Sequence, residues 1–300
     1  MTEIKTQAWS RRRFMGGMAG LATLGSFAAA CDGQAGTSGA RPGGSSGGTG
    51  AGATAGGVAP AVVKSTGSTV DAELISQRYG GLAPFAPAPA LPAAKPISLD
   101  AADPTVFSNV PIADKVTFVT IDDGIDKDPA FIQMVKDFQI PITISLADTL
   151  IKDDYAYFEK LYQTGYVSIQ NHTVTHPLNM PGLSAQQQLD EISGQQVKLL
   201  AEYGVTPYIF RPPGGNYTKT TVSAVQKAGL GGVMLWKESM EINNMEYQTS
   251  KKSLDPGDII LCHFRGPAQL QGETMVQMMT KLYRHIQEQG YTVGDITKYV

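Results

Sequence analysis

The sequence predicts an α/β fold in which parallel strands alternate with helices, either as an open sheet or as a barrel. From Lys115 to the C-terminus, β-branched and apolar runs typical of buried strands are separated by segments with helical spacing of apolar residues. Polar residues suited to catalysis follow several of these strands. Active sites of such folds lie at the carboxyl ends of strands, so these residues are the candidate site.

Each predicted element has its own signal. The first strand is the β-branched run 115–121, and Pro129 can begin the helix that follows it. Ser184 and Gln187 form a capping-box pattern for a helix that Gly204 ends. The predicted strands are residues 115–121, 142–146, 166–170, 208–210, 233–236 and 258–263, and the predicted helices are residues 129–138, 153–164, 184–203, 218–228 and 270–289.

Residues 1–30 predict an export signal. Arg12 and Arg13, followed by an apolar stretch over 14–30, resemble the twin-arginine class of signal peptide, which exports folded proteins. Small residues before Cys31 resemble a lipoprotein processing site. The alternative is an uncleaved anchor helix, but the stretch contains four glycines and is shorter than the about 20 residues that span a bilayer. We therefore predict an exported protein, anchored to the outer face of the cell membrane by a lipid on Cys31.

Composition divides the rest of the chain. Eleven of the 33 glycines fall between Gly33 and Gly57, and residues 31–70 contain almost no large apolar side chain, so they predict a flexible linker. Residues 71–110 contain Ala-Pro repeats and predict an extended, Pro-rich segment that straps onto the following domain. Residues 111–300 predict a single folded domain.

Charge and cysteine content exclude several classes of protein. Residues 71–300 hold 18 of the 24 basic side chains and 25 of the 27 acidic ones. This acidic balance argues against a duplex nucleic-acid binder. Two cysteines exclude a disulfide-stapled scaffold and a cysteine-rich zinc module. Strand alternation turns Cys262 away from the side that His263 faces, so we predict a buried thiol there.

Two of the motifs at strand ends are suited to metal binding. Asp122 and Asp123 are adjacent carboxylates, which occur either in an Asp-rich turn or around a cation. His172 and His176 are spaced i, i+4, which is found in surface and core imidazoles as well as in metal ligands. Joined to a carboxylate from another strand end, they make a two-histidine, one-carboxylate set with open coordination positions.

Two further strand ends carry an arginine and a third histidine. Arg211 precedes two prolines that stiffen its turn, and His263 ends the last long predicted strand. Three of the four histidines therefore lie at predicted strand ends, which favours one common site. His285 lies in the middle of a predicted helix, and we expect it to be solvated.

Four short segments together resemble a known family. Residues Thr120–Gly124, His172–His176, Arg211–Gly215 and Leu261–His263 look like four of the five ordered motifs of the NodB-homology polysaccharide deacetylases, carbohydrate esterase family 4. The resemblance covers about residues 111–300 and implies a distorted (β/α) barrel. It implies a metal-dependent hydrolase, acting on carbon–nitrogen bonds other than peptide bonds, that removes acetyl groups from an N-acetylated glycan. Cell-wall peptidoglycan and chitin-like N-acetylglucosamine polymers are the leading substrates.

The resemblance also implies roles for the central residues. Asp123, His172 and His176 match the ligands of a divalent metal, usually zinc in this family. Asp122 matches the general base, which takes a proton from metal-bound water as that water attacks the acetyl carbonyl. His263 matches the general acid that protonates the departing amine.

Four more positions match supporting roles. Arg211 matches the residue that orients the base carboxylate, and the backbone N–H of Gly214 matches an oxyanion-hole donor. Leu261 matches an apolar wall for the acetyl methyl group. Trp236 matches the strand tryptophan just ahead of the fourth motif and is a second substrate-binding candidate.

The chain departs from the family pattern at three places. Ile125 stands where proline usually follows Asp-Asp-Gly, and Gly214 replaces an aromatic residue, which widens the groove. No aspartate occurs between residues 231 and 254, so the fourth motif lacks the aspartate that tunes the acid histidine. Glu238 or Glu241 is the candidate substitute.

Two other functions fit the same motifs. One is an O-acetyl esterase acting on xylan-like glycans, because an alkoxide leaving group depends less on a well-tuned acid. The other is a catalytically weak, cell-wall-binding lipoprotein of the same fold, suggested by the incomplete fourth motif.

Overall fold

The computed structural model describes residues 69–300, which contain seven α-helices and ten β-strands. The predicted signal peptide, the lipidated Cys31 and nearly all of the predicted 31–70 linker lie outside the described residues. Within this described part, no helix has both the length and the apolar character needed to cross a membrane.

The secondary-structure elements follow one another in an alternating order. The helices are α1 (Thr69–Arg78), α2 (Pro129–Phe138), α3 (Asp148–Ile151), α4 (Tyr155–Tyr162), α5 (Ala185–Tyr203), α6 (Lys219–Lys227) and α7 (Met275–Glu288). The strands are β1 (Thr105–Phe107), β2 (Val116–Asp123), β3 (Ile142–Leu146), β4 (Val167–Asn171), β5 (Ile209–Phe210), β6 (Gly232–Met234), β7 (Glu238–Met240), β8 (Met245–Tyr247), β9 (Ile259–His263) and β10 (Thr292–Val293). Short 3₁₀ turns occupy Met180–Gly182, Pro213–Gly215 and Ile296–Lys298.

The strands form one curled sheet in the order β1-β6-β5-β4-β3-β2-β9-β7-β8, and β10 pairs with the beginning of β2. All pairs are parallel except the β7–β8 hairpin. The chain between β6 and β7 changes partners: Leu235 N donates to Phe107 O (2.7 Å), whereas Lys237 N donates to Ile259 O (3.0 Å). This crossing carries the chain from one side of the sheet to the other and gives the predicted distorted barrel.

The central strand β2 is buried along its whole length and separates two apolar clusters. Val116 and Phe118 face the barrel interior, and Val119 and Ile121 pack under the surrounding helices. Because side chains alternate along a strand, Asp122 continues the interior face at the carboxyl end. Strand alternation therefore places Asp122, rather than Asp123, on the interior face of β2.

Most of the predicted elements are confirmed. Strand β3 has the predicted bounds, and α5 begins with a capping box between Ser184 and Gln187 and ends at Gly204, whose φ is 64°. The predicted helix 270–289 begins later, at α7, because the Thr274 side chain caps it by accepting a hydrogen bond from Gln277 N. Sequence patterns missed β1, the β7–β8 hairpin and β10, which are two or three residues long and depend on tertiary pairing.

The segment 71–110 is only partly extended. Helix α1 occupies its beginning, which corrects the prediction of an extended conformation there; Ile75 and Tyr79 are buried against the main apolar cluster and stabilise this helix. The Ala-Pro repeats do lie against the domain. Phe85 makes edge-on contacts with the rings of Phe138 and Tyr283, with centroid distances of 6.3 and 5.4 Å.

The two side chains that we expected to be inert differ in environment. Cys262 is fully buried among the helix-facing residues, as predicted, and burial raises the pKa of its thiol. His285 is not simply solvated: it is half-buried, and its Nε2 lies 2.6 Å from the Tyr247 hydroxyl and 2.6 Å from Gln289 Nε2. The β8 strand, which the sequence did not predict, brings Tyr247 to it.

A pair of buried carboxyl groups lies on the helix-facing side of β7 and β9. Glu238 is the register partner of Ile260, on the same face as Asp258. Burial first, and then the neighbouring Asp258 carboxyl, raises the pKa of Glu238 above its ordinary value of 4.5. The pKa of Asp258 is raised in the same direction, chiefly by burial. Burial and the neighbouring carboxyl group therefore both favour the protonated form of Glu238.

We expect Glu238→Gln to reduce the alkaline loss of stability. The raised folded pKa means that the folded protein keeps a proton that the unfolded chain releases. The stabilisation that this proton provides is complete below the pKa of Glu238 in the unfolded chain. It is lost as the pH rises through the pKa of Glu238 in the folded protein, by at most about 1.4 kcal/mol per pH unit. Urea unfolding of both proteins between pH 5 and 9 measures this difference. Parallel pH dependence in the two proteins would contradict a raised pKa of Glu238 in the folded protein.

Candidate active site

Three potential metal ligands converge at the carboxyl ends of β2 and β4. His176 Nε2 lies 3.0 Å and His172 Nε2 lies 3.4 Å from Asp123 Oδ1. The three ligand atoms lie within 4.8 Å of one another. Asp123 Oδ1 is buried and has no hydrogen-bond partner among residues 69–300. A buried carboxylate oxygen facing two imidazole nitrogens is the donor set that a divalent cation requires, so these residues fit a metal ion.

The orientation of His172 is determined by a second interaction. Its Nδ1 lies 2.7 Å from the carbonyl oxygen of Arg211, which leaves Nε2 directed at Asp123. A hydrogen bond from the far ring nitrogen is the usual way in which proteins orient a ligating histidine. Burial disfavours the protonated imidazole, but the carboxylates of Asp122 and Asp123 outweigh it and raise the pKa of His172.

The Asp123 carboxylate is strongly favoured in its ionised form. Burial alone would raise its pKa, but the approach of the His172 and His176 imidazoles outweighs burial and holds the pKa of Asp123 well below its usual range. Its backbone φ of 79° lies in the left-handed region, and that of Gly124 is 101°. A Cβ at Gly124 would lie 2.3 Å from Ile151 Cγ2, so this turn requires glycine after the two aspartates.

Asp122 is paired with a completely buried arginine. Arg211 Nη1 lies 3.4 Å from Asp122 Oδ2, and its Nη2 donates to Thr120 Oγ1 at 2.9 Å. The guanidinium also stacks over the Trp236 ring, 5.4 Å from the centroid. Asp122 Oδ1 has no hydrogen-bond partner among the described residues, and Oδ2 lies 3.9 Å from His172 Nε2. Arg211 thus lies beside the carboxylate that the resemblance assigns it to orient, and this orienting role stays a prediction.

The two glycines after Arg-Pro-Pro shape the open side of the site. Gly214 has a φ of 60°, and Gly215 has a φ of 70°. A Cβ on Gly215 would lie 2.8 Å from the Trp236 ring. Gly214 is exposed, and its left-handed conformation disfavours the aromatic residue that the family pattern has there.

Trp236 and Leu261, the two predicted substrate-binding residues, are mostly buried. Trp236 is 7% exposed and Leu261 is 4% exposed, and both belong to the apolar cluster inside the barrel. Trp236 packs against Arg211 and Gly215. Contact of either side chain with a substrate stays a prediction.

His263 lies directly beside the aspartates. The register of the two central strands pairs it with Asp122. Its Nδ1 is buried without a hydrogen-bond partner among the described residues. Burial lowers the pKa of His263; the carboxylates of Asp123, Asp122 and Glu241 act in the opposite direction, and Arg265 acts in the same direction as burial.

Of the two glutamates considered as partners of His263, only Glu241 lies on the same face of the sheet as this histidine. In the β7–β9 register Glu238 pairs with Ile260 and Ser239 with Leu261, so Glu238 faces the helices. Two residues beyond Ser239, Glu241 continues the face that carries His263. Its carboxylate accepts a hydrogen bond from Ser239 Oγ (2.8 Å) and forms an ion pair with Arg265 Nη1 (3.3 Å).

Sequence reasoning missed the residues that hold the histidine loop in place. Thr173 Oγ1 accepts a hydrogen bond from His176 N (3.1 Å), and Glu191 on α5 accepts bonds from Val174 N and Thr175 N. Thr173 could have been found from the sequence, because threonine side chains often form hydrogen bonds with the backbone of nearby residues. Nothing in the pattern connects Glu191 to the loop, because the contact depends on where α5 packs.

Comparisons with known proteins agree with this arrangement. Residues 109–233 match the polysaccharide deacetylase family model. An uncharacterized protein of Streptomyces coelicolor is 34% identical over 198 residues, which are 66% of this chain and 78% of that protein. The peptidoglycan-N-acetylglucosamine deacetylase of Bacillus cereus is 23% identical over 202 residues, which are 63% of this chain and 92% of that protein.

Solved structures show the same fold. A carbohydrate esterase family 4 pseudoenzyme from Bacillus anthracis superposes with a TM-score of 0.54 at 20% identity, covering 65% of this chain and 69% of that chain. A family 4 carbohydrate esterase from Streptomyces lividans gives 0.51 at 23%, covering 62% and 95%. The fold is that of the NodB-type distorted barrels, and the chain belongs to the polysaccharide deacetylase family.

Proposed function

We propose that this protein is a metal-dependent deacetylase that removes acetyl groups from an N-acetylated glycan. The observation that carries this proposal is the convergence of Asp123, His172 and His176 beside Asp122 and His263 at one end of the barrel. Peptidoglycan and chitin-like N-acetylglucosamine polymers are the favoured substrates, since a relative that shares most of its length with this chain is a peptidoglycan deacetylase.

Asp123, His172 and His176 would hold the metal, and their mixed nitrogen and oxygen donors suit zinc. When bound, a divalent cation there polarises the acetyl carbonyl and lowers the pKa of a water molecule. The chain supplies only three ligands from this set, which leaves positions open for water and substrate.

The remaining residues divide the proton transfers between them. Asp122, oriented by Arg211, takes a proton from the attacking water as its oxygen bonds to the carbonyl carbon. The backbone N–H of Gly214 donates to the developing oxyanion. When the carbon–nitrogen bond breaks, His263 gives a proton to the departing nitrogen, and the products are acetate and a free amine. Leu261 borders the acetyl methyl group.

Two alternatives remain candidates because His263 Nδ1 has no hydrogen-bonded partner among the described residues. An O-acetyl esterase acting on xylan-like glycans depends less on a well-tuned acid, because its leaving group is an alkoxide. A catalytically weak, wall-binding protein has a precedent in the pseudoenzyme of the same fold. Each makes a different prediction for acetate release.

We expect the protein loaded with Zn²⁺ to release acetate from N-acetylglucosamine oligomers or peptidoglycan, and a chelator to abolish this activity. Asp122→Asn should lower kcat by about 100-fold or more because the base is lost. Asp190→Asn, on the exposed face of α5, is the matched control. Release from acetylated xylan alone would favour the esterase, and release from none of these substrates would favour the wall-binding protein.

We also propose that Glu241 supports His263 electrostatically. Glu241→Gln should lower kcat/KM by about tenfold, less than the about 100-fold that losing the acid itself costs. Glu238→Gln, at neutral pH, is the control, because Glu238 lies on β7 just before Glu241 but faces the helices, and this variant should retain wild-type kcat/KM. The proposal fails if both variants behave alike. Initial rates across pH 6–9 check it.

We propose, from the sequence alone, that the protein is exported and anchored to the membrane through a lipid on Cys31. Replacing Cys31 by Ala removes the acceptor thiol and should shift the protein from the membrane fraction to the soluble fraction of the producing cells. Fractionation followed by immunoblotting measures this shift. An unchanged membrane fraction would refute lipidation at this residue.

A further inference from the structure

The loop that carries both histidine ligands has an unfavourable backbone. Thr173 and His176 have φ values of 72° and 57°, in the left-handed region that non-glycine residues rarely occupy. Such conformations cost about 1–3 kcal/mol each and persist only where surrounding contacts impose them. Contacts from outside the loop must therefore maintain the spacing of His172 and His176.

Glu191, from α5, supplies the largest group of these contacts. Its carboxylate Oε2 accepts hydrogen bonds from Val174 N (3.0 Å) and Thr175 N (2.8 Å), and Oε1 accepts one from Thr175 Oγ1 (2.5 Å). Its main-chain carbonyl also lies 3.2 Å from Val174 N. Two consecutive backbone N–H groups between the two histidines are thus bound by one side chain.

The rest of α5 is shaped for the same loop. Gly194 allows close approach, because a Cβ there would lie 2.9 Å from Val174 Cγ2. Asn171, which precedes the first histidine, donates from Nδ2 to Ile192 O and to Gln196 Oε1, both at 2.9 Å. Helix α5 therefore contacts both the beginning and the middle of the loop, and Glu191 is its charged contact.

We propose that Glu191 is a positioning residue of the metal site, which holds His172 and His176 at ligating distance by binding the backbone between them. The inference rests on the proposed metal binding. It assigns Glu191 no contact with metal or substrate. A carboxylate suits the task because all three contacting groups are donors and an ionised carboxylate accepts only. Charge-assisted hydrogen bonds of this kind are about twice as strong as neutral ones.

The test is the Zn²⁺ affinity of the full chain, measured by competition with a chromophoric chelator. Glu191→Ala should bind Zn²⁺ about 10–100-fold more weakly than wild type, as loss of an outer hydrogen-bonding partner typically does. Glu191→Gln keeps one acceptor oxygen and should be intermediate. Asp190→Ala is the control, because the side chain of this exposed neighbour accepts a hydrogen bond from Gln186 on the helix surface and makes no contact with the histidine loop among residues 69–300. Its affinity should equal that of wild type.

A second readout separates positioning from general destabilisation. The visible spectrum of bound Co²⁺ reports ligand geometry, and we expect it to change in Glu191→Ala and not in Asp190→Ala. If Glu191→Ala does not fold, Glu191→Gln and Thr175→Val decide, each expected to bind Zn²⁺ at least about threefold more weakly. Wild-type affinity in folded Glu191 variants overturns this inference alone. A wild-type chain that binds no Zn²⁺ overturns the proposed function and this inference together.

Discussion

The buried guanidinium of Arg211 is the interaction on which the site depends. The guanidinium forms an ion pair with Asp122 and donates a hydrogen bond to Thr120. The main-chain carbonyl of the same residue orients the ring of His172. One residue thus connects the base, the strand that carries it and a metal ligand. Removing one partner of such a buried pair typically costs about 3–5 kcal/mol, because the other charge remains desolvated. The Trp236 ring over the guanidinium completes its enclosure inside the barrel.

Around this centre, the site uses backbone conformations that most side chains avoid. Asp123, Thr173, His176 and the glycines of the Arg-Pro-Pro turn all have positive φ. These conformations lie at or just beyond the carboxyl ends of β2, β4 and β5. Their cost is offset by the parallel sheet, which is buried on both faces, and by α5, which binds the histidine loop through Glu191. The strand ends and the supported loop together bring Asp123, His172 and His176 close to one another.

The departures from the family pattern have physical consequences in this chain. Gly214 adopts a left-handed conformation, which disfavours the aromatic residue of the family pattern, and it is exposed. The missing aspartate of the fourth motif is not replaced by Glu238, which lies on the other face of the strand. Glu241 lies on the face of His263 but is held by Ser239 and Arg265. The acid histidine is therefore influenced by an ion pair rather than by a single carboxylate.

The sequence by itself determined the strand–helix alternation, most element positions and the residues of the site, because hydrophobic period, capping residues and strand-end motifs are local signals. It did not determine the barrel closure, the α1 helix or the β7–β8 hairpin, which form only when distant segments pair or pack. It left Glu238 and Glu241 equivalent, and it gave no sign of Glu191. Tertiary structure distinguished the two glutamates, because the face that each side chain takes depends on strand register. It also brought Glu191 to the histidine loop, because that contact depends on how α5 packs.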